Sequence, residues 1–168
     1  ERVMLLADKC KKELKDNNIT VVFSAGNDSA NLDSDGTTYE SELSSVIGVG
    51  ASSVENDITS YSNDGSQIDL IAPAGGNTTD GLLGVLSLDL TGTNGINTST
   101  QLGLVNYNYS FVQGTSFSAP TVSGVVALLL AAKPTLTANE IRQILIDTAD
   151  KVGTSNGADY SVNNFDVK

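Results

Sequence analysis

Ser116 stands in the run Gln113-Gly114-Thr115-Ser116-Phe117-Ser118-Ala119-Pro120, directly ahead of an apolar segment over 121–132. A hydroxyl becomes a useful nucleophile when its proton is taken and the charge formed on its target is stabilised. The run sets up the second condition. Pro120 has no N–H, and its ring obstructs the carbonyl four residues back, so it is expected within the first turn of a helix. The helix is therefore predicted to begin at Thr115–Ser116, with Gly114 giving permissive backbone just before it. Ser116 then lies where unpaired N–H groups and the helix dipole favour negative charge. The second candidate is Asn27, in Ala25-Gly26-Asn27-Asp28 after the apolar run 19–24. Ligand sites in open α/β sheets lie beyond the carboxyl ends of strands. Each residue also has a plain reading, Ser116 as a helix cap and Asn27 as a turn residue. The first condition is unmet, because the chain contains no histidine to act as the base.

Gly114-Thr115-Ser116-Phe117-Ser118-Ala119-Pro120 resembles the nucleophile motif of the subtilisin family, G-T-S-x-[SA]-[AS]-P. Ala25-Gly26-Asn27 resembles that family's oxyanion asparagine segment. The segments V-I-G-V-G-A, Y-S-N and I-D-L-I-A-P-A-G follow in the family's order, so the resemblance covers most of residues 1–151. It implies a secreted or cell-surface serine endopeptidase acting on polypeptide. Ser116 would attack the carbonyl, and the Asn27 side chain with the Ser116 N–H would hold the oxyanion. Ala25, Gly26, Gly114 and Thr115 would bind substrate. The family also carries upstream Asp and His motifs, D-[TS]-G and H-G-T, and neither occurs here. The chain is accordingly read as the C-terminal portion of a catalytic domain, 1–151, with a tail over 152–168 of the same domain. Alone it is expected to be inactive, with the missing N-terminal half as partner and exposed core surface inviting self-association.

Two other readings stay open. One is a subtilase-fold pseudoprotease or scaffold that binds a partner. The other is an unrelated surface-binding α/β domain, which would set Ser116 and Asn27 far apart. The sequence also departs from the family pattern. Thr121 stands where most relatives have histidine, and Tyr39-Glu40-Ser41 lacks the usual proline step.

The elements that must position these residues read as an α/β, parallel-sheet, three-layer subtilisin-like fold, incomplete. Residues 1–16 place Val3, Leu6, Ala7, Cys10 and Leu14 on one helical face. This helix opens without a cap, as in a piece of something longer, and Asn17-Asn18 should close it through left-handed backbone. Buried strands are predicted at 19–24, 45–51 and 66–72. A strand or hairpin is expected over 82–90, and 91–106 reads as an insertion near the substrate side. The serine helix, 116–132, carries Val122, Val125, Val126, Leu128, Leu129 and Leu130 all round, so it is expected at the centre of the core, with Gly124 present for close packing. Thr137 and Glu140 form a capping box for a last helix, with Leu136 and Ile141 as its staple. Ile141, Ile144, Leu145 and Thr148 should be its buried stripe.

Composition narrows the partners. A net charge of −11 argues against nucleic acid, which needs clustered Lys and Arg. The single Cys10 has no internal disulfide partner. No cofactor is implied. The acidic stretch 29–44 reads as a solvated loop, because no complete calcium-loop spacing is present, although relatives of this kind can hold a structural calcium nearby. No apolar run looks long enough to span a membrane.

Overall fold

The computed structural model describes residues 9, 13, 14, 16–34, 46–54, 56–76, 84–95 and 108–150. Three parallel strands form the central sheet, in the order β1 (Val22–Ser24), β2 (Ile47–Ser52), β3 (Leu70–Pro73). Val22 pairs with Ile47 and Val49 with Leu70. Every residue of β2 is buried, as a central strand covered on both faces must be. β4 (Val85–Leu88) and β5 (Tyr109–Val112) form a separate antiparallel ribbon. The expected strand near 82–90 is thus real, and its partner lies across the segment read as an insertion. A short 3₁₀ turn occupies Gly92–Asn94. The expectations for 1–16 (apart from 9, 13, 14 and 16, which are helical), for Cys10, for Tyr39-Glu40-Ser41, for most of the acidic loop and for the tail fall outside the described residues.

Two helices have their whole length among the described residues, α1 (Thr115–Ala132) and α2 (Ala138–Thr148). α1 starts where the glycine and proline placed it, but Pro120 is its sixth residue, beyond the first turn. The Ser116 carbonyl therefore gains no bond from residue 120, which has no N–H to give. The Ser118 hydroxyl steadies the same turn by donating to the Thr115 carbonyl at 2.7 Å. The capping box is present, with Thr137 and Glu140 bonded reciprocally. Leu136 and Ile141 are both buried in the main core, as the staple requires. Asn18 does close the chain's first turn in left-handed backbone, at φ 61°. Its amide then reaches across to bond the Leu136 carbonyl and the Ala138 N–H, bridging the two ends of the described chain. Thr148 is exposed, not part of the α2 stripe, and its hydroxyl donates back to Ile144.

The core joins Ile47, Val49, Leu70 and Ala72 of the sheet to Val122 and Val126 of α1 and Ile141 and Leu145 of α2. α1 is not surrounded. Its buried residues are Thr115, Ser118, Val122 and Val126, all on one face. Val125 and Leu128 on the other face are exposed, Leu128 by 71%. A Cβ on Gly124 would meet nothing within 4 Å, so this glycine is not packed closely against any described residue. An apolar pattern on every side of a helix demands cover on every side; among the described residues the sheet covers one side only. The expectation on membrane spans also needs correcting. α1, at 18 residues and mean hydropathy 1.6, is long and apolar enough to cross a membrane by length and composition, yet one face of it packs on the sheet.

One ion pair ties α2 to the sheet. Arg142 meets Asp69, just before β3, through both its Nε and Nη2 atoms. Asp69 also accepts from the Gly48 N–H at 3.1 Å, and its side chain is 5% exposed against 37% for Arg142. Removing one partner of a buried pair leaves an uncompensated charge. Arg142→Met is expected to lower unfolding stability by about 2 kcal/mol, below the value for fully buried pairs because Arg142 is partly solvated. Urea titration checks this, and a loss under about 0.5 kcal/mol would contradict it.

Candidate active site

β1 ends at Ser24, and the chain turns through Ala25-Gly26-Asn27; β5 ends at Val112, and the chain turns through Gln113-Gly114 into α1. The two turns meet beyond the carboxyl ends of the parallel strands, where such sheets place their sites. The Thr115 N–H donates to Asn27 Oδ1 at 2.9 Å, and the Thr115 hydroxyl donates to the same oxygen at 2.9 Å. That hydroxyl accepts in turn from the Gly26 N–H at 3.2 Å. The arrangement fixes the amide's orientation by chemistry. A backbone N–H can only donate, so the atom facing it is the Asn27 oxygen. The Asn27 NH₂ group is left without an acceptor among the described residues, close to Gly114.

At the end of α1 each early N–H has a definite state. That of Thr115 is taken by Asn27, and that of Phe117 by the Gly114 carbonyl at 2.9 Å. The Ser116 N–H meets no acceptor among the described residues. Asn27 and Ser116 are exposed, whereas Gly114 and Thr115 are buried. Two unspent N–H donors and one hydroxyl thus open to solvent at one helix end, whose dipole favours an anion. Gly114 needs to be glycine, with φ at 131°. Ala25 is fully buried, so its side chain shapes the turn from beneath.

The segment 61–64 braces both turns, a role that its place in the family's order of segments does not reveal. The Tyr61 hydroxyl accepts from the Gly114 N–H at 3.1 Å and faces the carbonyls of Ala74 and Gly75. Asn63, 0% exposed, accepts from the Asp28 and Ala30 N–H groups and donates to the Ala25 carbonyl. Nothing in a Tyr-Ser-Asn tripeptide announces this, since the turn residues that Asn63 bonds, Asp28 and Ala30, lie more than thirty residues away in sequence. Asp33 accepts from the Ser66 N–H and hydroxyl, so at least this carboxylate of the acidic loop is engaged inside the protein. Among the described residues no group of three or more His, Cys, Asp or Glu could hold a metal ion.

Several known proteins are similar to this chain. The family model described as "Subtilase family" matches residues 5–164. A probable subtilase-type serine protease of Deinococcus radiodurans is 34% identical over 149 residues, covering 84% of this chain and 18% of that protein. Subtilisin amylosacchariticus of Bacillus subtilis subsp. amylosacchariticus is 31% identical over 137 residues, covering 82% of this chain and 30% of the relative. Among solved structures, a lanthipeptide protease matches with a TM-score of 0.74 and 27% identity, over 88% of this chain and 48% of that one. The chain therefore spans well under half the length of these two curated relatives.

Asp64, next to Asn63, gives this region a pH signature. Burial raises its pKa above the ordinary 3.8, a bond from Asn31 opposes that, and the Asp33 charge adds to it. Its buried Oδ1 has no hydrogen-bond partner among the described residues. A carboxyl with a raised folded pKa penalises the fold when ionised, and the penalty is relieved as pH falls through that pKa. Asp64→Asn is expected to raise the urea midpoint at neutral pH, with the gain shrinking as pH falls through Asp64's raised pKa. A gain that grows toward acid would contradict this.

Proposed function

The chain belongs to the subtilase family, and on that premise we propose that it carries the nucleophile and oxyanion parts of a subtilisin-like serine endopeptidase. Ser116 is the nucleophile. Asn27 Nδ2 and the Ser116 N–H are the two donors to the oxyanion. The observation that carries this reading is the grip of Thr115 on Asn27 Oδ1, which leaves the amide's NH₂ near Gly114 with no acceptor among the described residues. Donors fixed before the reaction need no reorganisation when charge develops, and this is where such sites gain most of their effect.

The chemistry follows from these positions. The Ser116 hydroxyl attacks the peptide carbonyl as a base takes its proton, and the carbonyl oxygen becomes an oxyanion between Ser116 N–H and Asn27 Nδ2. The proton then goes to the leaving amine, and water repeats the sequence to free the acyl group. Gly26 and Gly114 give the two turns the backbone that brings Asn27 and Ser116 to the substrate, while Ala25 and Thr115 hold the pocket's shape from within. The substrate is polypeptide, and the enzyme works in the secreted or cell-surface setting that its acidity suits. The chain has no histidine and no D-[TS]-G motif, so in this reading the base and its orienting carboxylate come from another part of the catalytic domain. In a subtilisin, loss of the histidine lowers kcat about 10⁶-fold, so this chain alone is expected to be inactive.

The missing partner has a place to bind. The bare face of α1 is a strip that carries Thr121, Gly124, Val125 and Leu128, all exposed, with Val125 and Leu128 its large apolar side chains; the buried residues of the helix lie on the opposite face. The solved lanthipeptide protease has as much chain again beyond the part this one matches. We assign the strip to the Asp- and His-bearing half of the domain, with the glycine admitting close approach of its backbone. Left uncovered, the same strip would drive self-association.

Two outcomes test the reading. In the assembled domain a fluorophosphonate should label Ser116, and Asn27→Ala should lower kcat by about 10²–10³ with little change in KM, a magnitude measured on a subtilisin. A domain that fails to label is a scaffold in place of a protease. Gly124→Ala should stabilise the isolated chain by about 1 kcal/mol, since helix propensity acts alone in open space. The same substitution should weaken association with the other half. Equal effects on both would mean the strip is not the contact.

A further inference from the structure

We infer that Asn63 is a positioning residue for Asn27, one that sets where the oxyanion donor stands without touching substrate. This rests on the assignment of Asn27 above. Asn27 is exposed and, among the described residues, its side chain bonds only Thr115. The turn that carries it is gripped from below at both ends. Asn63 Nδ2 donates to the Ala25 carbonyl at 3.1 Å, two residues before Asn27. Asn63 Oδ1 accepts from Asp28 N–H at 2.9 Å and from Ala30 N–H at 3.0 Å, on the other side. The Asn63 N–H adds a bond to the Gly26 carbonyl at 3.0 Å. One buried amide thus fills most of its bonding capacity on a single turn.

The turn is shaped around that amide. Gly26 has φ at 103°, and a Cβ there would collide with Asn63 Nδ2. The support is rigid in its own right. The Ser62 hydroxyl accepts from the Ala51 N–H of β2 at 3.1 Å and donates to the Asn63 carbonyl at 3.0 Å. The position of Asn27 is therefore transmitted from the central strand through Ser62 and Asn63. Neither half of the amide is dispensable. A carboxylate in its place keeps the two accepted bonds but repels the Ala25 carbonyl and the nearby Asp28 carboxylate.

The test uses the complete catalytic domain with Asn63→Asp and, as a second variant, Asn63→Ser. Each is made with Asn27 intact and with Asn27→Ala. Turnover is expressed per active site titrated with a fluorophosphonate, so partly unfolded enzyme does not count. With Asn27 present, kcat is expected to fall about 10–100-fold with KM within about twofold, as for a displaced catalytic group. With Asn27→Ala, the same substitutions should change kcat by less than about twofold, because residues acting through one another are not additive. Equal losses in both backgrounds, or a loss confined to the number of titratable sites, would show a merely structural Asn63. If Asn27→Ala lowers kcat but Asn63 variants do not, the positioning role alone falls. If Asn27→Ala itself leaves kcat unchanged, the oxyanion assignment falls and takes this inference with it.

Discussion

The arrangement at the helix end depends on one acceptor, the side-chain oxygen of Asn27, taking two hydrogen bonds from Thr115. Those bonds join residues 88 positions apart in sequence and decide which end of the amide faces outward. They also tie the tip of β1 to the start of α1, so strand and helix cannot shift independently. Thr115 can serve because it is wholly buried and its hydroxyl proton has one destination. The Gly26 N–H already occupies the hydroxyl as an acceptor, which leaves Asn27 to receive its proton. Serine could offer the same atoms, but its χ1 is freer than that of a β-branched residue in a closed site.

Around this contact the molecule is built asymmetrically. Beneath the site β2 is fully buried, Tyr61 is bonded to the turn at Gly114, Asn63 to the turn at Ala25–Ala30, and Ser62 to β2. Outside it, apolar surface is open. The far face of α1 is one such surface. The ribbon is another, where Leu86 and Leu88 are exposed on β4 opposite Phe111 and Tyr109 of β5. α1 thus carries one buried stripe and one bare stripe, and the chain matches 48% of the solved lanthipeptide protease.

How much was legible beforehand depended on whether the signal was local. The start of α1, the capping box of Thr137 and Glu140, and the left-handed Asn18 follow from residue chemistry within a turn or two, and sequence alone placed them. The three strands were found because short β-branched runs ended in glycine or proline, although their limits moved by a few residues. Pro120 was misplaced by one turn, since its cost is tolerated when the freed carbonyl lies at an exposed helix end. The burial of α1 could not be read, because periodicity reports what a helix needs and not what is present to supply it. Asn63 was invisible for a related reason: its role consists of bonds to a distant turn, and its own neighbours in sequence carry no trace of them. At the site, Ser116 and Asn27 were picked out by motif, whereas the fixed direction of the amide emerged only from the donor that faces it.

The most direct test is a crystal structure of the assembled domain with a peptide aldehyde bound covalently to Ser116, which imitates the tetrahedral intermediate. The account predicts the hemiacetal oxygen within about 2.7–3.1 Å of both Ser116 N and Asn27 Nδ2, with Asn27 Oδ1 still held by Thr115. An oxygen turned away from Asn27, or an amide that has left Thr115 to face it, would contradict the claim that this donor is set in place before the reaction begins.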